Sequence, residues 1–488
     1  MKSIGICYFR SLFSQSACSL SVGKFSHFLL NRGYNTNLYL LEKDNYAQLI
    51  DNIDSILKND IIIYKTNYKD FEYGIRLFKN IIEKNNKPFY LIGPFSIMNK
   101  DSIKEKYPFI TDIVDIQEGS VEKYFDIVGP SVEKKTIISG VDRELEYQEK
   151  GRYINVEAST GCIYNCAFCH INLMGYHKST KDMNLLVNEI EELYYKLGKR
   201  YFIFNDSVFW KNNDDNERIE LFIKLLKEKN IRINFMIYLS LTNKMDSDLL
   251  EKLKSVGLIR VFFGVENISK DFMKLNHKYT SKEDTINFMN ILNSLNISYH
   301  IGFILLSREM KFDDIRENID FLYQIRKLFR PGILVEKMRI LPGYISSKYL
   351  YHDNSKIDQA YNYHMIDPKT EEMYHVINDL FKNINIRNFE QFFSGINLSL
   401  AILKDRNFNI DNYEKKYNET LNIINNGVYE ILIKELNKLV VSSSDVEKLL
   451  DLYSIAESNY FDYMNYLKTA NQEVYEMIPH GKEKMNIW

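Results

Sequence analysis

GCIYNCAFCH, residues 161–170, sets Cys162, Cys166 and Cys169 in a C-x3-C-x2-C spacing within a chain that has only five cysteines. Three thiolates delivered by one short loop make a soft-metal site. A four-iron, four-sulfur cluster held by three cysteines keeps one iron open for a further ligand, and chemistry is expected at that iron. Two other readings stand beside it. A structural zinc would draw its fourth ligand from His170, although adjacent Cys169 and His170 turn onto one ion with difficulty and zinc sites usually join two separated ligand pairs. A disulfide framework suits a long chain with three clustered cysteines poorly.

Around this loop the chain has the composition of an ordinary globular protein. It has 488 residues, 45% apolar and 26% charged, with a net charge of −2. That length accommodates two or three domains. Near-neutral charge offers no nucleic-acid or anionic-membrane surface. No apolar run reaches the length of a membrane span, and Arg10 interrupts the one N-terminal stretch that resembles a leader. A cytoplasmic location is expected, in a reducing compartment that keeps thiolates available to a cluster.

Upstream, short β-branched or aromatic runs alternate with amphipathic stretches. Strands are expected at 3–9, 36–42, 60–66, 88–93 and 112–118, with helices near 19–32, 46–57, 70–84, 100–107 and 120–127. This alternation predicts a doubly wound parallel sheet over residues 1–128, a Rossmann-like domain that binds ligands at the carboxyl ends of its strands. Residues 129–152, polar and weakly periodic, read as a linker.

The strand YINVEAST (153–160) then delivers the cysteine loop. Further strands are expected at 200–204, 232–240, 260–266, 298–306 and 333–341, with helices between them, giving an α/β domain of six β–α units over 153–345. Residues 346–488 turn helical. Met373, Val376, Ile377, Leu380, Phe381 and Ile384 recur at helical spacing, and Ser444 with Glu447 suggests a capping box. No cysteine follows Cys169, so a second cysteine-rich cluster in this region is excluded, and the tail reads as a lid or substrate-binding module.

The cysteine loop resembles the signature of the radical S-adenosylmethionine (SAM) enzymes, in which an aromatic residue, here Phe168, precedes the last cysteine. The resemblance implies a partial (β/α)6 barrel and a 4Fe–4S cluster on Cys162, Cys166 and Cys169. It also implies reductive cleavage of SAM to a 5′-deoxyadenosyl radical, with an electron donor such as flavodoxin or ferredoxin. LIGPFS (91–96), with Gly93, Pro94 and Ser96, and DIVDIQEGSVEKYF (112–125), with Gln117, Glu118 and Gly119, resemble segments of the cobalamin-binding domain of the cobalamin-dependent radical SAM class. They do so without a D-x-H-x-x-G histidine for cobalt, since His27 sits in Phe25-Ser26-His27-Phe28. Cobalamin is therefore the expected third cofactor, and methylation of an unactivated carbon in a peptide or natural-product substrate the implied reaction. A cobalamin-independent rearrangement, cyclisation or oxidation is the alternative, and a non-catalytic iron–sulfur or zinc scaffold is another.

Within the barrel the resemblance points to Asp206 of Asn205-Asp206-Ser207 for the SAM amino group, although Asp is also a common turn residue. It points as well to Glu266 of VFFGVEN, with Asn267 where the family has serine. Gly302 remains from the fifth-strand motif, while Ser307-Arg308-Glu309 replaces its tail. Arg339, Pro342 and Gly343 of KMRILPGY are site-proximal candidates, and His170 and Tyr176 flank the cluster loop. No zinc-hydrolase histidine motif, phosphate loop or nucleophile elbow occurs.

Overall fold

The computed structural model describes residues 2–9, 19–42, 46–68, 70–116, 121–128, 135–148, 153–173, 175, 178–210, 215–241, 246–341, 343–345, 347, 350 and 360–477. Two compact units divide the chain. One is built on residues 1–155 with the short pieces 192–199 and 351–361; the other holds 156–191, 200–350 and 362–488.

In the first unit β1 (Ser3–Phe9), β2 (Asn35–Leu41), β3 (Ile61–Lys65), β4 (Phe89–Ile92) and β5 (Asp112–Val114) form one sheet in the order β2-β1-β3-β4-β5. Each neighbouring pair is parallel. The order reverses direction at β1, which sends helices to both faces. Alternation along β1 shows the result: Ile4, Ile6 and Tyr8 join Val22, Phe25 and Leu29 on one face, while Cys7 and Phe9 join Phe71, Ile75 and Phe78 on the other. Cys7 is thus a core residue, its thiol pushed far up by burial, and not a ligand candidate.

Gly93 ends β4 with φ +109, and a β-carbon there would lie 2.9 Å from the Thr66 carbonyl oxygen. Pro94 then opens a short helix, Pro94–Met98, where the sequence suggests only a turn. Val121 and Phe125, expected in a helix over 120–127, are buried in a turn instead. Gln117, Glu118 and Gly119 lie outside the described residues.

The stretch read as a linker is structured. Strands β6 (Ile137–Ile138) and β7 (Val141–Asp142) make a hairpin whose turn residues Ser139 and Gly140 both have positive φ. Asp142, fully buried, accepts a 2.7 Å hydrogen bond from Ser26 Oγ. Arg143 and Glu146, buried at 0% and 1% exposure, pair at 3.0 Å. Burial of Ile138 and Val141 outweighs the polar composition that suggested a linker.

In the second unit the strands β8 (Ile154–Val156), β11 (Tyr201–Phe204), β12 (Asn234–Ser240), β13 (Leu258–Glu266) and β14 (Ser298–Phe303) stand side by side in chain order. Strand order that follows chain order keeps the connecting helices on one outer face, which is how barrels are wound. Phe263 of β13 accordingly meets Phe288 of the helix Lys282–Ser294, while Phe262 turns inward onto Tyr238 and His300.

YINVEAST is not one strand. It breaks after β8, and Ser159–Thr160 (β9) pairs antiparallel with Ser179–Thr180 (β10). The sixth barrel position, expected at 333–341, is held among the described residues by one parallel bridge between Leu306 and Lys337. Pro331 starts a helical turn, Pro331–Val335, in its place.

The helices Pro368–Phe381, Ile386–Asp405, Asp411–Lys438 and Ser443–Ala470 complete this unit. Met373, Val376, Ile377, Leu380, Phe381 and Ile384 are all buried. The last long helix is capped by Ser442, not Ser444: Ser442 Oγ accepts from Asp445 N and donates to the Asp445 carboxylate at 2.6 Å. Helix Ile386–Asp405 meets β13 and β14 at their amino ends, through Ser394 to Arg260 and Asn397 to Ser298. It therefore closes the end of the barrel away from the cysteine loop and is no lid over that loop. No helix among the described residues is long and apolar enough to cross a membrane.

Gly257, between helix Ser247–Ser255 and β13, has φ +107, and a β-carbon there would fall 1.6 Å from the Ile233 carbonyl oxygen. Backbone strain alone costs about 1–3 kcal/mol at such a position. Gly257→Ala is expected to lose at least that much, read as a lower urea midpoint at unchanged slope.

Candidate metal centre at the mouth of the barrel

The cysteine loop leaves the carboxyl end of β8 and is clasped at its base by β9 and β10. A buried carboxylate locks this clasp. Asp206, 1% exposed just beyond β11, accepts from Ala158 N at 2.9 Å and from Ser159 Oγ. Lys178 Nζ donates to Ser159 Oγ at 2.5 Å and to Val208 O at 2.6 Å. Burial raises the Asp206 pKa, against these hydrogen bonds and the charges of Lys178 and Arg218. Asp206 therefore positions the loop. Each of its oxygens accepts a hydrogen bond from within the protein.

Within the loop, Cys169 N donates to Cys166 O at 3.1 Å, and Leu173 N to Cys169 O at 3.0 Å, starting the short helix His170–Leu173. The loop docks on the helix Lys270–Leu275 and the turn that follows it. Ala167 N donates to Asn276 O at 3.2 Å, and the Phe168 ring stacks on Phe272 with centroids 6.4 Å apart. The aromatic residue before the last cysteine thus anchors the loop to its neighbour. All three cysteines are half-buried and unpaired by disulfides. No group of three or more His, Cys, Asp or Glu side chains among the described residues is placed to hold a single metal ion. A four-iron cluster makes no such demand, because each thiolate takes a different iron.

Opposite Cys166 stands Glu266, at the carboxyl end of β13. A bulge between Gly264 and Glu266 shifts the register with β14, and Glu266 itself has φ +68. Its carboxylate folds back over Gly264, where a β-carbon would lie 1.9 Å from Oε1, and faces Gly302, whose β-carbon would lie 3.6 Å from Oε2. These two glycines make the room that the carboxylate occupies. Burial pushes its pKa up, opposed by the Lys278 charge. Lys278 is 4% exposed, with Nζ 3.5 Å from Ser240 Oγ at the end of β12. Burial also pushes the Cys166 thiol up to about 11, again against Lys278.

Asn267, fully buried, ties the ends of β13 and β14 together. Its amide donates to Ile304 O at 2.8 Å, and its Oδ1 accepts from Ser269 N and Asn318 Nδ2. Arg339 and Gly343 stand beside the helix after the cysteines. The protein around the exposed His170, together with the Arg339 charge, lowers its imidazole pKa, and a β-carbon on Gly343 would lie 3.3 Å from Leu173 Cδ2. Pro342 and Tyr176 are outside the described residues.

Lys278 is the residue that reading the sequence missed. In LNHKYT it sits among polar neighbours and reads as solvated; only burial between Cys166 and Glu266 reveals it. Gly93 and Pro94 belong to the other unit, at the carboxyl end of β4.

Residues 156–322 match the Radical SAM superfamily. Among curated proteins, the 4'-phospho-dehydrooxetanocin synthase of Priestia megaterium is 37% identical over 76 residues, 15% of this chain and 10% of that protein. A putative methylthiotransferase of Methanocaldococcus jannaschii is 24% identical over 299 residues, 54% of this chain and 66% of that one. The chain thus spans less than two thirds of these relatives' lengths. Among solved structures, the cobalamin-dependent S-adenosylmethionine radical enzyme OxsB with aqua-cobalamin bound covers 99% of this chain, with 82% of its own length matched, at TM-score 0.65 and 14% identity. Residues 156–322 thus match a radical SAM domain, and the fold of the chain is similar to that of OxsB.

Asp206→Ala would leave the buried Ala158 amide and the Ser159 hydroxyl without their acceptor. A buried loss of this kind costs about 1–3 kcal/mol. The variant is expected to melt earlier and to retain less iron after anaerobic reconstitution, by calorimetry and iron analysis.

Proposed function

We propose that this chain, with its radical SAM domain at 156–322, cleaves SAM reductively to a 5′-deoxyadenosyl radical and uses it in a cobalamin-dependent methylation of an unactivated carbon. The observation that carries the proposal is the mouth of the barrel, where three half-buried cysteines, a half-buried carboxylate and a buried ammonium share one pole of the sheet. The donor set fits a four-iron cluster with Cys162, Cys166 and Cys169 each holding one iron. When bound there, such a cluster supplies the electron that breaks the sulfonium bond, itself refilled by a flavodoxin- or ferredoxin-type donor.

The chain's own residues handle the amino-acid end of SAM. The Glu266 carboxylate accepts from its ammonium, and the Lys278 ammonium donates to its carboxylate. Glycines at 264 and 302 keep β-carbons out of the space around Glu266. Asn267 holds the two strand ends in register beneath it.

For the corrinoid, support comes from the whole-chain likeness to the OxsB fold and from the Gly93-Pro94 turn at the carboxyl end of β4. A bound methylcobalamin supplies the methyl group. No histidine is placed at this edge among the described residues, since His27 lies within helix Leu20–Asn31 and contacts Asn31. The first unit would thus hold a corrinoid without a histidine ligand. The substrate is a small molecule or a peptide.

Two expected outcomes test this reading. Glu266→Gln and Lys278→Met keep their iron but bind SAM roughly tenfold or more weakly, while Cys166→Ala loses the brown chromophore; equilibrium dialysis with iron analysis separates the two classes. Reconstitution with hydroxocobalamin yields a corrinoid spectrum that survives gel filtration and carries no signature of a histidine ligand. A colourless protein leaves the SAM-only radical reaction and removes the methyl transfer.

A further inference from the structure

The helix Lys270–Leu275, on which the cysteine loop docks, has a second face turned to solvent. Its Phe272 and Met273 are buried, so the opposite stripe points outward. Lys270 and Lys274 stand one turn apart on that stripe, and His277 follows in the next turn, its N donating to Lys274 O at 3.4 Å. All three side chains are exposed.

The stripe carries charge of one sign. Among the described residues neither Lys270 nor Lys274 forms an ion pair. Asp271, on the neighbouring flank of the helix, is taken by Lys311 at 3.1 Å. The other acids of this stretch, Glu283 and Asp284, stand in the first turn of the next helix, Lys282–Ser294, where Asp284 accepts from Ser281 Oγ at 2.8 Å. In a chain of net charge −2 this patch is a local feature.

Apolar surface lies beside the cations. Past His277 the chain turns Lys278 inward and Tyr279 outward, 71% exposed, and within the cysteine loop Ile163 is 46% exposed. The same face comes close to a cysteine. His277 Nδ1 lies 3.4 Å from Asn165 O, and Asn165 immediately precedes Cys166. Electron transfer between proteins slows steeply with distance, so a carrier has to approach within a few atoms of its acceptor's ligands. From the exposed imidazole to Cys166 the route is a single polar contact and a short piece of backbone.

We propose that this face docks a small acidic electron-carrier protein of the flavodoxin type, with Lys270 and Lys274 meeting its carboxylates and Ile163 and Tyr279 meeting its exposed flavin edge. The inference rests on the reading of Cys162, Cys166 and Cys169 as ligands of a four-iron cluster, and adds where the electron enters. Each encounter passes one electron from the carrier's reduced flavin to the cluster, and no bond in this chain is made or broken. Complexes between electron carriers bury little surface, below about 1,200 Å² in total, so a short stripe with an apolar centre is enough. Opposite charges across such a face set its approach and its partner.

Calorimetric titration of the anaerobically reconstituted full chain with flavodoxin, and in a second arm with a two-iron ferredoxin, at low and at physiological ionic strength, tests the proposal. Flavodoxin is expected to bind at one site per chain and severalfold more weakly at the higher salt. The double variant Lys270→Glu with Lys274→Glu is expected to weaken it roughly tenfold or more, and Tyr279→Ala to weaken it at both salts. Lys415→Glu reverses an exposed lysine near the amino ends of the strands, where Glu414 and Asn418 line a cavity with Ser298, and should leave binding unchanged. Dithionite, which needs no docking face, should bleach the brown chromophore of the double variant as fast as that of the parent, while reduced flavodoxin does so more slowly. Failure of dithionite to drive SAM cleavage in the parent counts against the reading of the cysteines, which the binding arms do not probe. No saturable binding of flavodoxin, binding of the ferredoxin alone, or binding equally tight in the double variant overturns the assignment.

Discussion

A half-buried carboxylate lying in the field of a buried ammonium organises the mouth of this barrel. Glu266 sits where two strands would normally bring side chains together, and it fits because positions 264 and 302 have none. Its desolvation is offset by Lys278, which also acts on Cys166. The bulge that turns Glu266 into the left-handed region depends on Asn267 stitching β13 to β14. On the other side, Asp206 fixes the root of the cysteine loop. The two carboxylates thus differ in surroundings a few strands apart: Asp206 accepts from the backbone and hydroxyl of the loop's root, while Glu266 lies over two glycines.

The difference between those two carboxylates was the part least legible in the sequence. Asp206 and Glu266 both follow apolar strands and look alike in a string of letters. What separates them is whether neighbouring backbone and hydroxyl groups take up their oxygens, which depends on the antiparallel pairing of Ser159 with the distant Thr180. Lys278 escaped notice for a related reason, since burial of a charged residue is decided by packing and not by its neighbours in the chain. The cysteine spacing and the alternation of strands and helices were legible, because ligand spacing and side-chain period are local properties. Where tertiary burial overrode local composition, as at Ile138 and Val141 in the supposed linker, or where Pro331 set a helical turn in the sixth-strand position, local reading failed.

The barrel is chemically polarised along its axis. Thiols, a carboxylate and an ammonium gather at the carboxyl ends of the strands; arginines, a lysine and a neutral histidine gather at the amino ends, with Phe262 and Tyr238 between them. The helices Ile386–Asp405 and Asp411–Lys438 complete the second pole, while the start of helix Pro368–Phe381 is bonded to the segment that follows β14.

The central claim is that the cysteine mouth is a site of reductive SAM cleavage. Its most direct test is product analysis of the anaerobically reconstituted wild-type chain after reduction with dithionite in the presence of SAM. The account predicts 5′-deoxyadenosine together with methionine, formed only in reduced samples that carry iron and sulfide. Intact SAM after reduction of a fully loaded cluster would contradict it.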